Sequence, residues 1–156
     1  MKIQLLVIGK TTQDFIRKGI DEYLSRLAHY VPFELKVMPG LKETKHLSAE
    51  QIKRKEGDIL LKTLLPSDYL ILLDERGQDF SSMEFAEYLK KRSSLSKRLV
   101  FIIGGAYGFS DDVYAAANEK IAFSKMTFSH QLIRLIFAEQ LYRAMTILNN
   151  EPYHHE

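Results

Sequence analysis

Two short segments near the end of the chain carry side chains that could take part in chemistry. His130, Arg134 and Arg143 belong to the segment that begins HQLIR, and Tyr153 and His154 belong to the closing residues PYHHE. A histidine can accept or donate a proton near neutral pH, whereas an arginine can bind a phosphate or stabilise an anion. Arg134 stands near the start of a predicted helix, where its charge opposes the helix dipole, so we interpret it as an anion-binding residue.

A glycine-rich turn offers a second candidate site. In LVFIIGGAYGFSDDV, residues 99–113, Gly105 and Gly108 match two positions of the dinucleotide-binding fingerprint, but Ile103 stands at the first position. No acidic residue ends the following strand and no Gly-Lys-Ser/Thr sequence follows, which argues against a Rossmann NAD site and a P-loop. Two interpretations stay open: the glycines serve only the geometry of the turn, or they let a ligand approach the backbone closely.

The elements that must position these residues follow from the apolar pattern, which predicts that strands and helices alternate five times. Strands are predicted at residues 2–9, 33–38, 69–73, 98–103 and 121–124, and helices at residues 14–30, 48–65, 81–94, 111–118 and 130–149. Ser48 with Gln51 and Ser81 with Glu84 have the spacing of capping boxes. Strands that are apolar throughout predict an α/β fold, a parallel sheet with helices on both faces, in one domain over residues 1–156.

Ligands of open α/β sheets bind at the carboxyl ends of the strands. Three loops qualify by position: DERGQDF after the third strand, GGAYGFS after the fourth, and KMTFSH after the fifth. The glycine turn belongs to the second of these loops, so a ligand at this edge would contact all three.

Composition narrows the function classes. The chain has 156 residues, 46% of them hydrophobic and 27% charged, which is typical of a globular protein. It has no cysteine, which excludes a disulfide, a thiolate nucleophile and a cysteine-ligated metal. The five histidines have no metal-ligand spacing, so we expect no metal. No signal peptide and no membrane-length apolar run is found, so we expect a soluble cytoplasmic protein with no membrane partner.

The charge balance permits a nucleic-acid partner without requiring one. The net charge is +2 and the pI is about 8.7. The run KKRSSLSKR, residues 90–98, holds five basic residues and no acid. Its charge alone favours a solvated helix end and loop; the alternative is a surface that grips nucleic-acid phosphates.

The last predicted helix is apolar on nearly all sides. A helix of that kind is buried on more than one side. We expect one side to cover the sheet and the other to contact a second subunit. Glu139 and Arg143 are four residues apart and should form an ion pair on one face.

Several motifs together resemble one known family. IGGAYG, FSKMTFSHQLIR, EQLYRA and the closing PYHHE occur in the order found in the bacterial ribosomal RNA large subunit methyltransferase H family. These are small SPOUT-class, S-adenosylmethionine-dependent methyltransferases, and the resemblance covers the whole chain. It implies a homodimer with a carboxy-terminal trefoil knot that methylates N3 of a pseudouridine in 23S rRNA within the assembled ribosome.

The resemblance also implies site residues. The cofactor contacts fall on the three loops, and the adjoining Gly105 completes the glycine turn. The candidate cofactor-binding residues are Leu73, Gly104, Gly105, Phe123, Ser124, Lys125, Met126, Thr127 and Phe128. The candidate catalytic residues are His130, Arg134, Arg143, Tyr153 and His154. It also supports the hypothesis that the basic run grips rRNA phosphates.

Two other functions remain as alternatives. One is a non-catalytic dimeric RNA-binding module of the same fold that has lost its cofactor. The other is a flavodoxin-like domain that binds a small molecule such as NAD or a flavin. Cofactor binding distinguishes all three, because only the methyltransferase should bind S-adenosylmethionine.

Overall fold

A parallel sheet of five strands forms the centre of the computed structural model, which describes residues 1–155. Its strand order is β2-β1-β4-β3-β5. The strands are β1 (Lys2–Ile8), β2 (Phe33–Met38), β3 (Tyr69–Asp79), β4 (Arg98–Ile103) and β5 (Glu119–Ala122). The helices are α1 (Asp14–Leu27), α2 (Ala49–Leu61), α3 (Ser82–Arg92), α4 (Asp111–Ala116) and α5 (Leu132–Leu148). The predicted parallel α/β sheet is confirmed.

Helices cover both faces of this sheet, as predicted. On β4, Leu99 and Phe101 face one core cluster, with α1, α3 and α5, while Val100 and Ile102 face the other, with α2 and α4. Successive side chains of a strand point to opposite faces, so a strand buried on both sides must be apolar at every position. This explains why β4 is apolar from Leu99 to Ile103, whereas β2, at the edge of the sheet, alternates apolar and polar residues.

The two predicted capping boxes are confirmed. The Ser48 hydroxyl accepts from the Gln51 backbone N–H and the Gln51 side chain accepts from the Ser48 backbone N–H; Ser81 and Glu84 make the same reciprocal pair. Several predicted boundaries were wrong by two to four residues. The helices α1, α2, α3 and α4 end earlier than expected, α5 begins at Leu132, and β5 begins and ends two residues earlier.

The largest difference concerns β3, which was predicted to end at Leu73 and runs on to Asp79. Both Leu73 and Gln78 pair with Ile121 of β5, so residues 74–77 form a bulge between the two paired parts of the strand. Gly77 makes the return possible, because a side-chain carbon there would lie 2.6 Å from the Ile121 backbone nitrogen. The bulge carries its polar residues over the carboxyl edge of the sheet.

The burial of α5 differs from the expected one. The helix packs on the sheet and between α1 and α3, and none of its residues is exposed. Leu135 packs against Gly19 of α1, where a side-chain carbon would lie 2.8 Å from the leucine. Ten of its seventeen residues, among them Leu132, Ile136 and Leu148, are only half-buried, so one chain covers part of the apolar surface and leaves the rest for the predicted second subunit. The homodimer and the trefoil knot stay predictions.

Candidate functional site

A cavity of about 640 Å³ opens at the carboxyl ends of β3, β4 and β5. The three loops selected from the sequence all contribute to its lining. Of the candidate cofactor-binding residues, Leu73, Gly104, Gly105, Phe123, Ser124, Met126, Thr127 and Phe128 line it. Lys125 is exposed and does not line it.

The glycine turn forms one wall of this cavity. Gly108 has a positive φ of 84°, and its backbone N–H donates to the carbonyl oxygen of Gly105 at 3.1 Å. A side-chain carbon on Gly104 would lie 3.2 Å from the Phe109 ring and 3.3 Å from the Gly108 backbone. Gly104 therefore has little room for a side chain, while its backbone stays available to a ligand.

The loop after β5 forms the opposite wall of the cavity, and its first residue, Phe123, is fixed by packing against the core. The Phe123 ring stacks on Phe137 at 5.7 Å and contacts Phe85 edge-on at 5.2 Å. Beyond this anchor the loop turns outward, so that Met126 is 77% exposed and Phe128 is 36% exposed. Together with the exposed Tyr107, they form an apolar rim, a feature typical of surfaces that bind a ligand or a partner.

The sequence analysis missed a polar network in the same cavity. Asp74 accepts from the Tyr114 hydroxyl and from the Arg76 backbone N–H at 3.0 Å, and Arg76 also donates to the Tyr114 hydroxyl. Burial disfavours the charged carboxylate, but the hydrogen bonds from Tyr114 and Arg76 outweigh it and lower the pKa of Asp74. The available signal was its position, because Asp74 is the first residue after the apolar run of β3.

His130 lines the cavity and is exposed, whereas Arg134 is only 1% exposed and lies beneath it. The Arg134 guanidinium donates to the carbonyl oxygens of Ile8 at 2.9 Å, Gly9 at 2.8 Å and His130 at 3.1 Å. These carbonyl dipoles solvate its charge, and its burial lowers its pKa. The anion-binding interpretation is therefore wrong: Arg134 ties the end of β1 to the start of α5 and is a positioning residue.

The remaining candidate catalytic residues, Arg143, Tyr153 and His154, form a separate group together with Glu139, and we call these four residues the tail cluster. The predicted ion pair is confirmed, with 2.6 Å between Arg143 Nη2 and Glu139 Oε1. The Tyr153 hydroxyl donates to the same carboxylate oxygen at 3.0 Å, and Arg143 Nη1 lies 3.2 Å from His154 Nδ1. Burial, then hydrogen bonds to Tyr23 and Glu139, raise the pKa of Tyr153, so its hydroxyl stays protonated.

The tail cluster lies far from the cavity within one chain. Arg143 comes eleven residues after Leu132, the first residue of α5. At a rise of 1.5 Å per residue this places Arg143 about 16 Å along the helix from the end that borders the cavity. The candidate catalytic residues therefore occupy three places: His130 at the cavity, Arg134 beneath it, and the tail cluster at the other end of α5.

The basic run, residues 90–98, lies at the amino-terminal ends of the strands, opposite the cavity. Arg92 ends α3 and binds Glu119 at 2.5 Å, and Arg98 begins β4 and binds Asp68 at 2.6 Å. The interpretation of the whole run as solvated charge is therefore wrong for these two arginines.

Among residues 1–155, no group of three or more His, Cys, Asp or Glu side chains could hold a metal ion. No helix in that part of the chain is long and apolar enough to cross a membrane.

Comparison with known proteins agrees with the resemblance. A family described as "Predicted SPOUT methyltransferase" matches residues 1–154. A protein of Parabacteroides distasonis named ribosomal RNA large subunit methyltransferase H is 62% identical, with all of both chains covered. Proteins of the same name from Phocaeicola vulgatus and Bacteroides thetaiotaomicron are 58% and 55% identical, again over all of both chains.

Proposed function

The chain belongs to the SPOUT methyltransferase family, and we propose that it methylates N3 of a pseudouridine in 23S rRNA within assembled ribosomes. The methyl donor is S-adenosylmethionine, and the reaction takes place in the cytoplasm. The rRNA substrate is supported by the names of relatives that are similar to this chain over their full length. The observation that carries the proposal is the cavity between the three loops, which are contributed by separate strands and meet at one edge.

The cavity fits the proposed methyl donor in size and chemistry. Its volume of about 640 Å³ lies within the range usual for small-molecule sites. Leu73, Ile103 and Met126 offer apolar surface to the adenine, and the backbone of Gly104 and Gly105 offers hydrogen-bonding groups. S-adenosylmethionine supplies an electrophilic methyl group, and the chain has to hold it in line with the attacking nitrogen. Such positioning can lower the barrier by roughly 7–11 kcal/mol.

The attacking nitrogen must lose its proton, and the tail cluster is suited to stabilising the resulting anion. Arg143 donates toward Nδ1 of His154, so the neutral ring carries its proton on Nε2. His154 Nε2 is buried and has no hydrogen-bond partner. When the tail moves on substrate binding and exposes Nε2, Arg143 and the Nε2–H group can both face a ring oxygen of the deprotonated base, and Tyr153 can stack on the base.

We place the two halves of the site on different subunits of a homodimer. The tail cluster lies about 16 Å along α5 from the cavity in its own chain, which is too far for both to contact one nucleotide. In a symmetric dimer, the tail of one subunit can reach the cavity of its partner. The apolar rim of Tyr107, Met126 and Phe128 would then be covered by the nucleotide and the second subunit.

Calorimetry and a ribosome assay test the activity. The chain should bind S-adenosylmethionine and not NAD, and it should transfer a radioactive methyl group to a single pseudouridine of ribosomes. Binding of NAD without S-adenosylmethionine would favour the flavodoxin-like alternative. Ribosome binding without any cofactor binding would favour the non-catalytic RNA-binding module.

Mixed dimers test the division of the site between subunits. A Gly104→Val subunit with an intact tail is combined with a subunit that lacks residues 153–156. Random mixing at equal amounts should restore about a quarter of wild-type activity, because half of the dimers hold one complete site of two. A tail that served its own cavity would leave every mixed dimer inactive.

A further inference from the structure

Glu56 of α2 lies against the back of the glycine turn. A side-chain carbon on Gly105 would lie 2.6 Å from Oε1 and 2.9 Å from Oε2 of this carboxylate. The neighbouring Gly57 lets α2 approach so closely, since a side-chain carbon there would lie 2.5 Å from the Ser110 hydroxyl. One glycine backbone therefore separates the Glu56 carboxylate from the cavity that Gly105 lines.

The charge of this carboxylate is not compensated. Oε1 is buried and accepts no hydrogen bond, and no residue from 1 to 155 forms a salt bridge with Glu56. Lys53, one helical turn earlier, binds Glu50 at 2.9 Å instead. Burial alone raises the pKa of Glu56. The Glu56 side chain is half-buried and no cation of the described chain neutralises it, so a positive group bound in the cavity would be attracted to it.

We propose that Glu56 is a specificity-determining residue, whose negative charge behind Gly105 favours a cationic sulfonium ligand over the neutral thioether left after methyl transfer. This inference rests on the proposed function, because it takes S-adenosylmethionine as the methyl donor. The donor and the product, S-adenosylhomocysteine, differ only by the methyl group and by the positive charge on sulfur. A carboxylate near the sulfur acts on that difference through the weakly screening interior of the protein.

The charge has a further consequence for turnover. Glu56 stabilises the bound donor and gives no such stabilisation to the product, so it favours replacement of the spent product by a new donor molecule. It also stabilises the sulfonium more than the transition state, in which the positive charge is already decreasing. Removing the charge should therefore raise KM for the donor and leave kcat unchanged or higher.

Glu56→Gln tests the proposal, because it removes the charge and keeps the shape. Calorimetry with the whole chain should show affinity for S-adenosylmethionine lowered about tenfold and affinity for S-adenosylhomocysteine changed less than about twofold. Sinefungin, which carries an amine cation in place of the sulfonium, should follow the donor. Without ligand, the Tm should not fall, because the carboxylate that is removed has no hydrogen-bond or ion-pair partner in the described chain.

Glu50→Gln is the matched control, since it makes the same charge change on an exposed position of the same helix. It should leave the affinity ratio unchanged, and the loss of its exposed pair with Lys53 should lower the Tm slightly rather than raise it. Glu56→Asp, which withdraws the charge by one methylene group, should change the ratio by an intermediate amount and keeps the test available should Glu56→Gln not fold.

Three results would overturn the inference. Equal losses of affinity for donor and product, with or without a lower Tm, would show that Glu56 only shapes the turn. An unchanged ratio in both Glu56 variants would show that its charge does not reach the ligand. Wild-type protein that bound neither compound would overturn the proposed methyl donor itself, and this inference with it.

Discussion

Charged groups at the amino-terminal edge of the sheet are held in closed networks, whereas those at the carboxyl edge lie around an open cavity. At the amino-terminal edge, the Glu119 carboxylate accepts hydrogen bonds from Tyr69 at 2.9 Å, Tyr88 at 2.8 Å and Arg92 at 2.8 and 2.5 Å. Nearby, both oxygens of Asp68, whose side chain is 2% exposed, bind Arg98. These side chains have little hydrogen-bonding capacity left for a ligand.

The carboxyl edge has the opposite character. Its loops expose Tyr107, Met126 and Phe128 to solvent, and behind the glycine turn Glu56 has an unpartnered oxygen. Even the paired Asp74 lines an open cavity there. From this difference we infer that the amino-terminal edge contributes mainly to stability, and we propose that the carboxyl edge binds the ligand. Substitutions at the two edges should therefore separate stability from activity.

The largest effect is expected from Gly104→Val at the carboxyl edge. The side chain would meet the Phe109 ring and the Gly108 backbone and reshape the turn. Binding of S-adenosylmethionine should be lost in calorimetry, while the circular dichroism spectrum stays that of the folded protein. Gly40→Val is the control, because nothing lies closer than 4.0 Å to a side-chain carbon there. Unchanged affinity in a folded Gly104→Val protein would remove the turn from the site.

Loss of the tail should be the next largest effect. Deleting residues 153–156 should lower methylation of ribosomes by at least about a hundredfold, the lower end of what a positioned acid–base group contributes. Cofactor affinity and the oligomeric state should not change. His154→Gln keeps an N–H donor without a base and should retain more activity than His154→Ala. Full activity of the truncated chain would exclude the tail and leave His130 as the candidate base.

At the amino-terminal edge, Arg92→Met should affect stability alone. It removes the cation from Glu119, and we expect a loss of about 1.5–3 kcal/mol in the free energy of unfolding, the usual range for a hydrogen bond to a charged group. Cofactor affinity should stay at the wild-type value. Lys91→Met, one residue earlier and exposed, should change stability by less than about 0.5 kcal/mol. Equal effects of the two variants would contradict the role assigned to the Glu119 network.

The smallest effect is a dependence of stability on pH at the same edge. Burial opposes the charge on Asp68, but hydrogen bonds from Arg98 and the Leu65 backbone outweigh it and lower the pKa of Asp68. A carboxyl group whose pKa is lower in the folded state stabilises the fold above its unfolded pKa, and this contribution is lost as the pH falls through the folded value. The free energy of unfolding of the wild type, measured in urea, should therefore decrease below about pH 4. An Asp68→Asn variant should show a shallower decrease over the same range; an identical slope would contradict the assignment.

Much of the fold could be predicted from the sequence because its signals are local. The bounds of β2 and β4, the two capping boxes and the Glu139–Arg143 pair depend on residues only a few positions apart. The three loops of the cavity followed from the order of strands and helices together with the rule for parallel sheets. The candidate cofactor-binding residues line the cavity with the exception of Lys125.

Contacts between distant parts of the chain decided the rest. The bulge in β3 exists because β5 pairs on both sides of it, Arg134 is held by carbonyl groups more than a hundred residues away, and α1 and α3 cover α5. The unpartnered oxygen of Glu56 appears only when α2 packs on the glycine turn. Side-chain spacing reports which face of an element is apolar, but it does not report what covers that face. Only the packing of the whole chain determines which charges are paired and which remain for a ligand.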